Sequence, residues 1–428
     1  MKATARRHTI AAHLTAWSNR SLIGSLAFVG LAGLAYSISL GSQVRFADEA
    51  DYLRLSQSVA DTGRYALDGV NSTAFRPPGY PYLLAFLRQF SDSVPVLRSV
   101  NIIFLAVAVW ATWWLARRIG GPGAAALAAP IAAVYPIGFY TMGTLYPQAM
   151  GTALLLTGLV AIVALPESAH PYRLAIGAGA VFGLLIVTIP TFAVVLLIGV
   201  LWLARRHQRL LVLAVIIGVA AIVPAGWMTR NAIVMHSVIP ISTNNGLNLL
   251  LGNSEHAGPR TGVNADISAY IDEGQQRQLN EMDLDAYYRK SAVTWATANP
   301  ARAATLFVEK TANYFAPFDR LGTDAQSSTS QQAVAVITYL PLLALFVLRL
   351  ARWRRDRPGE VERLLILIYL VSAPVQALFF TRVRFRAPLD PLLIVIAAAM
   401  VARWLVVTDA PDARVEGRGD AETADIPG

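Results

Sequence analysis

Residue types that build many active sites are scarce in this 428-residue chain. It has no cysteine, which excludes disulfide frameworks, thiolate metal sites and cysteine nucleophiles. The six histidines are scattered, with no pair at the spacing of metal ligands. Charged residues make up only 15% of the chain and hydrophobic residues 55%, whereas soluble proteins have about 25% and about 45–50%. A larger hydrophobic core would not explain this excess of hydrophobic residues, which therefore predicts a membrane protein.

Long apolar runs account for the excess. A bilayer crossing needs about 20 mostly apolar residues. A stretch that covers 174–204 is too long for one crossing, and Pro190 in its middle removes an amide donor and predicts two short helices. We therefore predict an all-α polytopic membrane protein with about ten transmembrane helices, at 21–40, 97–116, 122–139, 146–165, 174–189, 191–204, 210–228, 332–348, 364–380 and 389–407.

The basic residues set the orientation of these spans. Arginines cluster in short loops that all fall on one side if the N-terminal segment, 1–20, is cytoplasmic, as the positive-inside rule requires. The transmembrane domain then covers 21–407, with two long outer loops at 41–96 and 229–331. The tail, 408–428, is predicted to be disordered and cytoplasmic, in a protein of the inner cell membrane. Because the formal charge of +9 lies mostly beside spans, it does not indicate nucleic-acid binding.

Charge is almost absent from the spans themselves. Only three charged residues fall inside them: Arg98 at the start of the second span, and Asp390 and Arg403 near the ends of the last one. Mid-membrane charges mark ion pathways, so their absence counts against an ion-coupled transporter. No glycine-rich phosphate loop follows a strand pattern, and the cytoplasmic loops are too short for a nucleotide site. A functional site is therefore expected on the outer face.

Acids crowd the start of the first outer loop. Asp48, Glu49 and Asp51 fall in the first turn of a predicted amphipathic helix that ends at Gly63. Helix capping explains acids at this place about as well as catalysis does. Further along, Arg76-Pro77-Pro78-Gly79-Tyr80-Pro81 predicts a rigid turn. That turn is either a plain connector or a device that holds Arg76 at a fixed depth for an anionic headgroup.

The second outer loop is rich in amides. It opens on Arg230-Asn231 and continues through an asparagine-rich segment, 239–253, which includes Asn245. These amides indicate either turns or a surface that binds sugar hydroxyls. Helices predicted at 283–298 and 301–314 would pack as a small outer cap. Three arginines follow the ninth span, and they suit an anionic partner or lipid headgroups in general: Arg382, Arg384 and Arg386.

Three signatures in order resemble the bacterial integral-membrane glycosyltransferases of the family 39/83 type, which are related to protein O-mannosyltransferases and to the lipid A aminoarabinose transferase. They are Asp48-Glu49 with Tyr52, the segment from Arg76 to Pro81, and Arg384-Phe385-Arg386-Ala387-Pro388-Leu389-Asp390-Pro391. The segment from Arg230-Asn231 to Gly252-Asn253 is similar to one in that family. The resemblance covers most of the chain, from the first span to the last.

The resemblance implies a GT-C fold and transfer of a sugar from a polyprenyl-phosphate carrier, usually with inversion. It makes Asp48 the expected catalytic base, with Glu49 or Asp51 to orient it. It assigns Arg76, Arg384 and Arg386 to binding of the donor phosphate. The remaining expected substrate-binding residues are Asp51, Tyr52, Tyr80, Arg230, Asn231, Asn245 and Arg382.

No cofactor is expected. No residue is assigned as a metal ligand, and the sequence leaves dependence on a divalent metal open. The acceptor is a glycan, a lipid or a protein. A non-catalytic membrane protein that binds or translocates a lipid-linked glycan is the alternative. It accounts for the spans and the outer arginines equally well, but it does not explain why acids and Arg76-Pro77-Pro78-Gly79-Tyr80-Pro81 share one loop.

Overall fold

Helices make up most of the computed structural model, which describes residues 2–319 and 328–408. Residues 409–428 of the predicted tail, 408–428, and residues 320–327 of the second predicted outer loop lie outside the described residues. In chain order the helices are α1 (Lys2–Leu40), α2 (Ala47–Thr62), α3 (Gly79–Arg88), α4 (Val94–Val134), α5 (Pro136–Met142), α6 (Gln148–Ala164), α7 (Pro171–Thr188), α8 (Ala193–Arg205), α9 (Leu210–Val234), α10 (Asn245–Gly252), α11 (Ser268–Gln276), α12 (Glu281–Ala298), α13 (Pro300–Asn313), α14 (Thr329–Ala351), α15 (Glu360–Ala377), α16 (Val383–Arg386) and α17 (Asp390–Thr408).

Seven helices among the described residues are long and apolar enough to cross a membrane. They belong to α1, α4, α6, α7, α9, α14 and the α16–α17 segment. The chain is therefore a multi-pass membrane protein, and the number of ten crossings stays a prediction. Since α1 begins at Lys2, residues 2–20 of the expected cytoplasmic segment are continuous with the first span.

Two of the predicted interruptions are present. The backbone leaves the helical path at Gly121, with φ of 74°, so α4 consists of two helices that meet at a kink. The helix α7 ends at Thr188, and Pro190–Phe192 forms a 3₁₀ turn before α8 begins. The loss of the amide donor at Pro190 thus divides this apolar run as the sequence predicts.

The centre of the transmembrane bundle is α17. Its residues from Leu392 to Met400 are all buried, and small side chains allow neighbouring helices to approach closely. At Gly120 of α4, an added Cβ would lie 2.9 Å from the Cα of Ala399, which leaves no room for a side chain. This contact holds the middle of α17 tightly against α4, and α16 with its arginines lies shortly before α17 in the chain.

The two long loops that the sequence predicts on the outer face are joined to each other by hydrogen bonds. The Glu281 carboxylate accepts hydrogen bonds from the Thr73 hydroxyl (2.6 Å), the Ala74 amide (2.9 Å) and the Thr243 hydroxyl (2.6 Å). Glu281 begins α12 in the second loop, whereas Thr73 and Ala74 belong to the first. The predicted helices of the outer cap are present as α12 and α13, close to their expected bounds.

The proline-rich turn is shorter than the sequence predicts. The helix α3 begins at Gly79, so Tyr80 and Pro81 lie in its first turn, where proline is tolerated because first-turn amides have no intrahelical partner. A Cβ at Gly79 would lie 3.1 Å from the Val187 carbonyl oxygen and closer still to the Thr188 hydroxyl. Glycine is required here because the segment packs directly on the end of α7.

Candidate active site

Asp48 lies between two arginines from distant parts of the chain. Its Oδ1 accepts a hydrogen bond from Arg76 Nη2 at 2.6 Å, and its Oδ2 accepts one from Arg384 Nη1 at 3.0 Å. Burial would raise the pKa of the Asp48 carboxyl, but the charges of Arg384 and Arg76 outweigh this effect and hold it below its ordinary value. The carboxylate is therefore ionised at neutral pH and has both oxygens engaged.

Arg76 is also held by a second carboxylate. Its Nη2 donates to Asp51 Oδ2 at 2.8 Å and its Nε to the same oxygen at 3.3 Å. Asp51 also accepts from Arg54 at 2.8 Å. Because Asp48 and Asp51 are one helical turn apart on α2, both reach the same guanidinium. The Arg76 side chain is only 16% exposed and packs over the Phe75 and Tyr52 rings.

Two cavities meet at Asp48. The smaller has a volume of about 620 Å³ and the larger about 1160 Å³. Asp48, Tyr146 and Arg384 line both of them. The Arg384 guanidinium lies 5.1 Å from the centre of the Tyr146 ring. The carboxylate is thus accessible from two sides, as a group that acts between two bound molecules must be.

The larger cavity combines apolar walls with arginines. Phe28, Ala32 and Tyr36 of α1 form one side of it, and residues of α14 form another. Arg45 and Arg382 join Arg384 on its lining. Both α1 and α14 are candidate membrane spans. The cavity therefore offers an apolar surface and positive charge side by side.

Ten neutral polar side chains contribute to the lining of the smaller cavity, although most of its surface is apolar. These are hydroxyls and amides from four parts of the chain: Gln148, Thr188, Thr191, Ser237, Ser242, Thr243, Asn244, Asn245, Asn248 and Gln376. Arg76 and Tyr52 line this cavity beside Asp48, and neither belongs to the lining of the larger one. A surface of this composition suits a ligand with many hydroxyl groups.

Glu49, which the resemblance pairs with Asp48, does not line either cavity. Its carboxylate accepts hydrogen bonds from the amides of Arg45 (2.8 Å), Phe46 (3.0 Å) and Leu145 (2.8 Å), and it is fully buried. It caps the N-terminus of α2 and ties that helix to the segment before α6. The capping interpretation thus fits Glu49, whereas Asp48 and Asp51 face arginine side chains.

Tyr52 and Tyr80 lie under the Asp48 site. Their rings pack edge to face at 5.7 Å, and the Tyr80 hydroxyl contacts the Asn101 side chain. Burial raises the pKa of Tyr52 to about 12, so its hydroxyl keeps its proton at neutral pH. Only Tyr52 of the two lines the smaller cavity. Tyr80 supports it from below.

Arg230 and Asn231 stabilise the loops and lie outside both cavity linings. Arg230 donates to the Thr73 carbonyl at 2.9 Å, and the Asn231 amide donates to the Ile239 carbonyl at 2.9 Å. Arg382 lines the larger cavity, 3.7 Å from Asp319.

Arg386 lies away from the site that the sequence assigns to it. It is fully buried and lines neither cavity. Its Nε donates to Asp390 at 2.9 Å, and its Nη1 donates to the carbonyls of Tyr314 (2.8 Å) and Ala316 (2.6 Å). The structure therefore separates Arg386 from Arg384, although the sequence groups them.

Sequence reasoning missed three residues at the site. Tyr146 separates the two cavities, Arg45 lines the larger one, and Asp319 lines it beside Arg382. Burial raises the pKa of Asp319 although Arg382 opposes this effect. Tyr146 and Arg45 could have been noticed, because Tyr146 opens an apolar run at its outer end and Arg45 directly precedes the acids. No sequence signal marks Asp319.

Metal-ligand groups are also absent from the part of the chain that the structure describes: it contains no group of three or more His, Asp or Glu that could hold an ion. Asp48 at the cavity junction and Asp51 one turn further along α2 are both paired with arginines. The expectation that no residue is a metal ligand stays a prediction.

Comparisons with known proteins identify structures with a similar fold. No protein-family model and no curated protein matches the sequence. The structure is similar to the oligosaccharyltransferase AglB from Archaeoglobus fulgidus in complex with an inhibitory peptide and a dolichol-phosphate, with a TM-score of 0.52, 16% identity and 92% of this chain covered. The apo form of the Archaeoglobus fulgidus oligosaccharyltransferase matches with a TM-score of 0.53 and 15% identity, over 90% of this chain.

The chain spans about half the length of these relatives, 52% and 50%. ArnT from Cupriavidus metallidurans matches with a TM-score of 0.40 and 15% identity, over 88% of this chain and 77% of ArnT, and a score at that level supports no conclusion. At such low identity the likeness to the oligosaccharyltransferase establishes the fold alone. The chain has the GT-C fold, the fold of membrane glycosyltransferases.

Proposed function

We propose that this protein is a membrane glycosyltransferase that moves a sugar from a polyprenyl-phosphate-linked donor to an acceptor hydroxyl on the extracytoplasmic face. One observation carries the proposal: the Asp48 carboxylate lies at the junction of two cavities with Arg76 and Arg384 on its two oxygens. The GT-C fold supports it, and the oligosaccharyltransferase of similar structure was solved with a dolichol-phosphate.

The larger cavity takes the donor. Its apolar walls from α1 and α14 suit a polyprenyl chain, and Arg45, Arg382 and Arg384 suit the phosphate. Arginine binds phosphate oxygens through charge-assisted hydrogen bonds, which are about twice as strong as neutral ones. An enzyme on the outer face has no supply of nucleotide sugars, so a lipid-linked donor fits the location.

The smaller cavity takes the acceptor. Its hydroxyl and amide groups, Asn245 among them, match an acceptor that presents hydroxyls. Tyr52 lies beside Asp48 on this lining and keeps its proton, so it can donate a hydrogen bond to the acceptor. Tyr80, Arg230 and Asn231 then contribute indirectly, because they hold the loops that form the cavity.

The chemistry is a single displacement, which inverts the anomeric carbon. Asp48 accepts the proton of the attacking hydroxyl as the new glycosidic bond forms. The leaving group is a phosphate, which needs stabilisation of its charge rather than protonation. Arg76 and Arg384 supply positive charge next to the reacting groups. Asp51 orients Arg76, and Glu49 holds the first turn of α2 in place.

Donor consumption tests the proposal. Purified protein in liposomes is given radiolabelled polyprenyl-phosphate sugars, and release of label from the carrier is followed. We expect turnover by the wild type and a loss of about 10²- to 10⁴-fold in Asp48→Asn, as for removal of a general base. Asp92→Asn is the matched control, because Asp92 is an exposed carboxylate in the same loop.

Near wild-type turnover in Asp48→Asn would remove Asp48 from the mechanism. Transfer of intact donor across the bilayer, without release of polyprenyl phosphate, would instead favour the alternative, a translocator of lipid-linked glycans.

A further inference from the structure

The two arginines on Asp48 are bound very differently. Arg76 makes three hydrogen bonds to carboxylates, and two of them go to Asp51. Arg384 makes one, to Asp48 Oδ2, and its Nε is buried without a hydrogen-bond partner. Within residues 2–319 and 328–408, no other carboxylate forms a salt bridge with Arg384. Arg76 is therefore anchored, whereas Arg384 has one partner and unused hydrogen-bonding capacity.

The cavities reinforce this asymmetry. Arg384 lines both cavities, but Arg76 lines only the smaller one. A phosphate in the larger cavity would thus meet Arg384 and not Arg76. Phosphate oxygens accept two parallel hydrogen bonds from one guanidinium, whereas Asp48 takes a single one. Exchange of the carboxylate for a phosphate would therefore satisfy more of the Arg384 donors.

We propose that Arg384 switches partners during the reaction: it pairs with Asp48 in the unloaded protein and moves to the donor phosphate on binding, which frees Asp48 Oδ2 to act as the base. Arg76, held by Asp51, stays on Oδ1 and keeps the carboxylate in position. The inference rests on the proposed function, and it makes the base available only when the donor is present.

In the transfer step one bond to the anomeric carbon forms and one breaks. The acceptor hydroxyl gives its proton to the freed Oδ2 of Asp48, and its oxygen bonds to the anomeric carbon. The bond between that carbon and the phosphate oxygen breaks, and polyprenyl phosphate leaves with the electron pair, held by Arg384. After the product leaves, Asp48 loses its proton to water and Arg384 returns.

A double-mutant cycle with polyprenyl phosphate as the probe tests the exchange without any need for turnover. Binding to the full chain in detergent is measured for the wild type and for the single variants Asp48→Asn, Arg384→Gln and Arg76→Gln. It is also measured for two double variants, in which Asp48→Asn is combined with Arg384→Gln or with Arg76→Gln. We expect Asp48→Asn to bind several-fold tighter than the wild type, because a competitor for Arg384 is gone. Arg384→Gln should weaken binding by about tenfold or more, and Arg76→Gln by less than about threefold.

The double variants separate exchange from simple repulsion between Asp48 and the phosphate. If Arg384 exchanges Asp48 for the phosphate, the gain in lipid affinity from Asp48→Asn disappears in the Arg384→Gln background. The same gain persists in the Arg76→Gln background. A gain that survives in the Arg384→Gln background, or no gain at all, would overturn the exchange. Failure of the wild type to bind the lipid would overturn both the exchange and the proposed donor. Arg302→Gln, an exposed cap variant, controls for net charge.

The role of Asp51 as a positioning residue has a separate readout. Arg76, Arg384, Tyr52 and Tyr146 lie closest to Asp48, and Asp51 binds the same Arg76. Arg45, Arg382 and Asp319 share the lining of the larger cavity with it. If donor binding removes Arg384, the pKa of Asp48 rises, so the acidic limb of kcat should lie at higher pH than that of kcat/KM. Asp51→Asn leaves Arg76 with Asp48 as its one carboxylate partner and should move the kcat limb to lower pH. An unchanged limb in a folded variant would show that Asp51 has a merely structural role.

Discussion

Arg386 provides a direct test of whether position in the sequence or position in the fold decides the role of an arginine. Its pairing with Asp390 is buried on both sides, and neither side chain is exposed at all. Asp390 also accepts a hydrogen bond from the Tyr135 hydroxyl at 2.8 Å. Arg386 lies 3.7 Å from the centre of the Tyr339 ring. We therefore expect Arg386→Met to destabilise the protein and not to act through the donor.

The magnitude follows from what the substitution leaves behind. Arg386→Met leaves Asp390 as a buried carboxylate without a cation, which typically costs about 3–5 kcal/mol. The double variant Arg386→Met/Asp390→Leu removes both charges. It leaves unpaired the two carbonyls that Arg386 satisfied and the Tyr135 hydroxyl that donated to Asp390, at about 1 kcal/mol each. We expect the double variant to be less stable than the wild type by about 3 kcal/mol. It should still be more stable than the single variant, which leaves the same two carbonyls unpaired beside an uncompensated carboxylate.

Thermal unfolding in detergent, followed by tryptophan fluorescence, measures the order of stability among the three proteins. Polyprenyl phosphate binding is then measured on the folded double variant. A double variant that is no more stable than the single one would refute the ion-pair reasoning. A loss of lipid affinity as large as that of Arg384→Gln would show that Arg386 binds the donor phosphate, as the family resemblance implies.

Two further predictions concern the outer cap. Burial lowers the pKa of Lys310 to about 8 from an ordinary 10.5, so between these values the unfolded chain holds more protons. The stability of the wild type relative to Lys310→Met should therefore rise as pH increases through this window, and melting temperatures at pH 7.5, 9 and 10 measure it; a constant difference would contradict the argument. Glu281→Gln should lose about 1–3 kcal/mol, because one carboxylate joins the two outer loops. Its melting temperature is compared with that of the exposed control Glu309→Gln, and equal values would show that the junction contributes little.

The architecture could be predicted because its determinants are local. An apolar run is a span wherever it occurs, and Pro190 interrupts a helix whatever lies around it. Gly63 ends α2 in the left-handed conformation, with φ of 69°, as its position after the helical pattern predicts. The start of α3 at Gly79 was not predictable, because that glycine is required by contact with α7, more than a hundred residues away.

The roles of neighbouring polar residues could not be separated in the same way. Asp48 and Glu49 are adjacent and both suit a first helical turn, so the sequence cannot tell which of them caps the helix. In the structure the choice is made by α2 packing: Glu49 faces the Leu145 amide, and Asp48 faces the cavities. A pattern of acids predicts that one of them is available, but the tertiary contacts determine which.

The three arginines after α15 make the same point through geometry. Residues two apart on a helical turn point about 200° apart, since each residue advances about 100°. Arg384 and Arg386 both belong to the short helix α16, so only one of them can face the cavities while the other enters the core. Asp390, four residues after Arg386, supplies the buried partner and thereby fixes this choice. The same acid that anchors Arg386 in the core therefore presents Arg384 to Asp48, and the outer arginine depends on the inner pair for its position.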